Sequence, residues 1–134
     1  MLVEVIAAIA VVALGLTAFA SGIPVAAMAV SEGAQLSTAT FLAGARLEEV
    51  RGAEWRGSGL DNLGFPDEAT LPDPHTRYAR QVRAVDCGVP PGCGAVTSPL
   101  LRQITVTVAY RPVTALGLAA GSKTVSLTTL VTRR

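Results

Sequence analysis

The sequence predicts an α+β fold: one long N-terminal helix, its first half suited to a membrane and its second half soluble, packed on a small antiparallel β-sheet. Three observations predict it. From Val5 to Val30 no residue carries a charge, and a bilayer core of about 30 Å needs about 20 apolar residues in a helix. Beyond that run, Ala34 to Arg51 keeps apolar residues near the helical period. Towards the end of the chain, Gln103–Tyr110 and Thr124–Thr132 alternate apolar side chains with threonine, serine and alanine, the period of a half-buried strand.

The helix comes first. Its apolar run is longer than the core of a secretory signal peptide, and no Lys or Arg precedes it, so it reads as a retained span. Residues 1–30 are expected to form the membrane half and residues 31–134 the soluble unit. Gly15, Gly22 and Pro24 lie inside the span. Proline removes one helical hydrogen bond, and two readings stand side by side: ordinary tolerance of Gly and Pro in membrane helices, or a weak segment able to bend or melt when subunits pack. In the second half, Leu36, Ala39, Thr40, Ala43, Leu47 and Val50 form the expected apolar stripe, with Arg46, Glu48, Glu49 and Arg51 on a wetter face. Gly52 and the run Gly57-Ser58-Gly59 are stop signals. The whole helix is expected to span roughly fifty residues, about 75 Å at 1.5 Å per residue.

Asp61 to Thr76, rich in Pro, Asp, Asn and Gly, reads as an irregular surface connection. Tyr78–Val85 is a further strand candidate. Gln103–Tyr110 and Thr124–Thr132 are expected to pair as an antiparallel hairpin across the loop Arg111 to Ser122, and the sheet to bury its apolar face on the outer half of the helix.

Composition excludes several function classes. The net charge of +1 over 134 residues gives no clustered basic surface for nucleic acid. Cys87 and Cys93 are the only cysteines and His75 the only histidine, too few for a zinc site, which takes about four ligands. Two cysteines separated by Gly-Val-Pro-Pro-Gly read as a disulfide closing a short loop, which implies an oxidising compartment outside the cytosol. No catalytic constellation stands out: Ser31, Ser37, Ser58 and Ser98 have only His75 as a base. Asp61, Asp67, Glu68, Asp73 and Asp86 do not follow the spacing of a calcium loop and read as solvated loop acids. No phosphate-binding glycine pattern is present. Neither a cofactor nor a metal is expected. Trp55 and Tyr78 read either as exposed contact residues or as packing against the helix.

Glu4 is the sharpest single feature, a lone carboxylate beside the apolar run. It fits the headgroup region at a helix start, where the dipole favours an anion, or else it needs a specific partner. The opening Met1-Leu-Val-Glu4-Val-Ile-Ala-Ala-Ile-Ala10 resembles the start of processed type IV pilins and type II secretion pseudopilins. The stretch Ala39-Thr-Phe-Leu-Ala-Gly-Ala-Arg-Leu-Glu-Glu-Val-Arg51 is similar to minor pilins of the V type and pseudopilins of the I type. Leu101 to Pro112 and Val125 to Arg133 resemble the closing strands of the same group. The resemblance implies a structural subunit, not an enzyme, that helps to initiate or shape a filament in pilus biogenesis or type II secretion. It implies a single pass through the bacterial inner membrane with a periplasmic domain, contacts with other pilins or pseudopilins through the N-terminal helix, and processing by a prepilin peptidase with N-methylation. Glu4 stands one place short of the family's glutamate, and Met1 stands where the family usually has Phe; the resemblance therefore assigns processing to the neighbourhood of Met1 without fixing the residue that is cut. It gives Glu4 the task of neutralising the N-terminal amine of an adjacent subunit. A signal-anchored extracytoplasmic binding domain acting outside any filament is the alternative.

Overall fold

A computed structural model describes residues 1–52, 64–90, 92–94, 96–112 and 121–132. It contains helix α1 (Leu2–Gly52) and strands β1 (Tyr78–Asp86), β2 (Leu101–Tyr110) and β3 (Lys123–Thr132). The strands form one antiparallel sheet in the order β1-β2-β3. The expected layout of a long helix on a small antiparallel sheet is thus the observed one. All three expected strands are present, each within two residues of its expected limits. Trp55, Ser58, the glycines at 57 and 59, Asp61 and much of the expected loop Arg111 to Ser122 lie outside the described residues.

The helix runs unbroken through Gly15, Gly22 and Pro24. Its 51 residues correspond to about 76 Å. Hydroxyl groups in the apolar half turn back onto the helix: Thr17 Oγ1 donates to the Leu14 carbonyl at 3.0 Å and Ser21 Oγ to the Ala18 carbonyl at 2.9 Å. A polar group satisfied by its own helix costs little in an apolar surrounding.

Register decides which side chains meet the helix. In β2 the alternation is strict: Arg102, Ile104, Val106, Val108 and Tyr110 are buried, and the residues between them are half-exposed. Val82 lies opposite Val106, and Val106 opposite Leu127, so one row crosses all three strands. Against this face α1 sets Ala39, Leu42, Ala43, Arg46 and Val50. With Leu71, Val82, Ile104, Val106, Val108 and Tyr110, the apolar members of that set form the core.

The helix face is rotated from the one expected. Leu36 keeps 49% of its surface exposed, Thr40 is exposed, and Leu47 is only half-buried. Leu42 and Arg46 take their places inside. The reason is size: Ala39 and Ala43, both 0% exposed, let the backbone of α1 approach β2, and the seam follows the small residues rather than the largest ones. Arg46, expected on the wetter face, is buried because a carboxylate from the following loop reaches it.

Beyond β1, Cys87 and Cys93 are disulfide-bonded, with Cα atoms 4.7 Å apart. The loop they close is tight at both ends. Gly92 has φ +72°, a conformation that glycine adopts without penalty. A Cβ on Gly88 would lie 2.5 Å from the Cα of Pro99, so only glycine fits there.

Candidate membrane and assembly surface

Every residue from Met1 to Val30 is exposed. This includes Ile6, Ile9, Leu14, Leu16, Phe19, Ile23 and Val25, each more than half exposed. Such an apolar surface on one chain is far beyond what a soluble monomer presents. The helix is long and apolar enough to cross a membrane, and none of its most apolar window is buried within the chain. Burial begins where the charges begin. Glu32 forms an ion pair with Lys123 at the start of β3. Tyr78 Oη donates to the Gln35 carbonyl at 3.4 Å. These contacts mark the point at which one helix passes from an apolar rod to the spine of a folded domain.

Glu4 sits in the first turn of α1, where the positive end of the helix dipole favours a carboxylate. Among the described residues it has no ion-pair or hydrogen-bond partner. Met1 closes the first turn, its carbonyl accepting from the Val5 amide at 3.2 Å.

In the folded half, three of the acids expected to be solvated, Asp67, Glu68 and Asp86, are instead bound, whereas Asp73 is exposed. Glu68 Oε2 accepts from Arg46 Nη2 and from Arg80 Nε, at 2.7 Å in each case. Arg46 Nη1 also donates to Glu49 at 2.8 Å, and its guanidinium lies over the Phe65 ring, 5.1 Å from the centroid. Two arginines and two glutamates thus make a neutral cluster that ties α1, the loop after it and β1 together. The hydrogen bond from Arg80 holds the Glu68 carboxyl below its ordinary range, against partial burial, with Arg46 adding to the effect. Burial disfavours the charge on Arg46, but Glu68 and then Glu49 outweigh it, and the guanidinium is held above its ordinary value. Asp67 is paired with Arg83 at 2.6 Å through both carboxylate oxygens, and Asp86 with Arg102. The signal that could have found two of these pairs is the placing of Arg80 in step with Val82, and of Arg102 in step with Ile104, on the inward rows of their strands, since a strand-borne arginine facing a core needs a carboxylate; Arg83, on the outer face, carries no such signal.

His75 packs edge-on against Tyr78, with ring centroids 6.0 Å apart, and among the described residues no serine hydroxyl is hydrogen-bonded to it. Tyr78 itself is half-buried against the core and stacks at 5.6 Å on Tyr110. Among the described residues no group of three or more His, Cys, Asp or Glu side chains is placed to hold a metal. In comparison with known proteins, no family model, no curated protein and no solved structure matches the chain.

Proposed function

We propose that this chain is a structural subunit of a type IV pilus-like filament, a minor pilin of the V type or a minor pseudopilin of the I type, that helps to initiate or shape assembly. The observation that carries the proposal is the unequal use of one helix. Its second half is consumed by the sheet of its own domain, while Leu2 to Val30 is left wholly exposed and apolar. A bilayer satisfies that surface before assembly, and the matching helices of neighbouring subunits satisfy it afterwards. In this reading residues 1–30 hold the chain in the inner membrane by a single pass, residues 31–134 fold in the periplasm, and a prepilin peptidase acts near Met1. The disulfide supports the oxidising side. Gly15, Gly22 and Pro24 weaken the segment that must adapt when it leaves lipid for protein, since Pro24 leaves one carbonyl of the preceding turn without its helical donor.

Glu4 supplies register. A carboxylate and an ammonium that are each costly in an apolar surrounding become tolerable together, so subunits gain most when Glu4 of one meets the N-terminal amine of the next. Glu4→Ala is expected to give a protein that still inserts in the membrane and folds its soluble domain but enters filaments poorly. The measurement is the fraction of variant recovered in sheared filaments against the fraction in the membrane, with the parent as reference. Equal incorporation of variant and parent would remove the charge-pairing role.

A further inference from the structure

The arginines of the described residues fall into two groups. Arg46, Arg51, Arg80, Arg83 and Arg102 each hold a carboxylate. Arg77 and Arg111 are exposed, and among the described residues neither has an ion-pair or hydrogen-bond partner. These two stand together. Arg77 immediately precedes β1 and Arg111 immediately follows β2; their neighbours Tyr78 and Tyr110 are the terminal register pair of those strands. The two tyrosine rings stack at 5.6 Å and fix this end of the sheet. Like charges set side by side across an antiparallel pair repel, and an anion between them removes the repulsion. Neither acid at this end supplies it: Glu32 is taken by Lys123, and Asp73, exposed in the turn before β1, forms no ion pair with either arginine.

This end of the sheet is also the one nearest the apolar segment. Tyr78 Oη reaches the Gln35 carbonyl, and Lys123, opposite Tyr110 in register, reaches Glu32. The charge-free run stops at Val30, and from there to Gln35 the helix rises only about 8 Å. The run itself is about 39 Å long at 1.5 Å per residue, close to the roughly 40 Å of a bilayer with its headgroups. With the run in a bilayer, the end of the sheet stands over the headgroup layer, within reach of a long side chain.

We infer that Arg77 and Arg111 together bind the phosphate of an anionic lipid headgroup, in the leaflet from which α1 emerges into the folded domain. The inference rests on the reading of residues 1–30 as a membrane span. Position names the occupant, because lipid phosphates are the anions that lie at this level beside every inserted copy. Chemistry agrees with it. A guanidinium donates paired hydrogen bonds to phosphate oxygens, and its long apolar stem lets the charge reach the headgroups while the backbone stays in the sheet. The pair gives the domain a fixed seat on the membrane at the foot of its sheet.

The test places the full chain in nanodiscs of phosphatidylcholine and phosphatidylglycerol in equal parts. Lipids that stay bound after transfer to mild detergent are identified by native mass spectrometry. The parent is expected to retain phosphatidylglycerol over phosphatidylcholine by about fivefold or more. Arg77→Gln with Arg111→Gln is expected to retain the two lipids alike, with the thermal transition of the domain unchanged, since both side chains are exposed. Arg77→Lys with Arg111→Lys keeps the charge and is expected to keep most of the preference. Arg51→Gln, at the far end of α1, is expected to behave as the parent. The inference is overturned if the inserted parent shows no preference, if the double glutamine variant keeps it, if Arg51→Gln abolishes it equally, or if excess inorganic phosphate removes it, which would assign the pair to a soluble anion. A chain that does not enter the disc overturns the membrane reading and this inference together; a chain that enters without lipid preference overturns the inference alone.

Discussion

Glu68 is the residue at which helix, loop and sheet meet. Its carboxylate serves Arg46 and Arg80 together, so its removal leaves two largely buried guanidinium groups underpaired. Breaking a buried ion pair costs about 3–5 kcal/mol; the Glu68 side chain keeps 26% of its surface exposed, and for Glu68→Gln about 2 kcal/mol is expected, read as a fall in the denaturant midpoint at neutral pH. The sign of the pH dependence follows from linkage. The folded carboxyl is held below its ordinary value of 4.5, so its contribution is complete above that value and is lost as pH falls through the folded one. Melting temperature should therefore drop more steeply between about pH 5 and pH 3 in the parent than in Glu68→Gln; parallel curves would show that Glu68 is not the group responsible. Asp67, also lowered by its hydrogen bonds to Arg83, acts in the same direction in both proteins and cancels from the comparison. Cys87 and Cys93 belong to this scale as well. Thiol labelling of the denatured, unreduced chain is expected to find neither free, and Cys87→Ser with Cys93→Ser to cost about 2 kcal/mol by the loop-entropy estimate.

At the scale of the element, the helix is two objects joined end to end. The junction at Glu32 to Gln35 is a change of environment rather than of backbone. In the folded half the small residues set the geometry. Ala39 and Ala43 have no exposed surface, so any added methylene pushes the helix from β2. Ala39→Leu is expected to destabilise by about 1–3 kcal/mol, although leucine is a good helix former and adds apolar area. A thermal melt settles the sign: a gain in stability would show that the helix can move outward without loss. By the same geometry Leu42→Asp, at a site 7% exposed, should cost more than Leu47→Asp, at a half-buried one.

For the whole molecule, the question is whether the domain depends on its helix. The sheet has three strands, among the described residues only its helix-side face is covered, and a sheet of this size needs an apolar partner to be stable. A fragment beginning at Ser31 keeps Glu32, Gln35 and the complete seam from Ala39 to Val50, and is expected to unfold in one cooperative transition. A fragment beginning after Gly52 loses the seam and is expected to be unfolded or aggregated. Calorimetry of both fragments checks this, and a cooperative transition in the shorter one would show that the sheet stands without the helix.

Period and charge were enough to read most of the architecture from the sequence. The uncharged run to Val30 read as an apolar helix because no charged side chain interrupts it over more than the width of a bilayer core. The alternation in Gln103–Tyr110 and Thr124–Thr132 declared strands and their inward faces, since a period of two fixes which side is buried. The Cys87–Cys93 pairing followed from there being no other cysteine. What only the tertiary structure decided are contacts between residues distant in sequence. The seam on α1 passes through Ala39, Ala43 and Leu42 and leaves Leu36 outside, because the closeness of approach to β2 depends on both surfaces at once. Arg46 is buried rather than solvated because Glu68 lies 22 residues further along the chain and is brought to it by the return of the loop. The closing of the β1 edge by Glu68 and Leu71 is likewise set by where that loop lies, and local sequence encodes strand propensity but not which neighbour a strand receives.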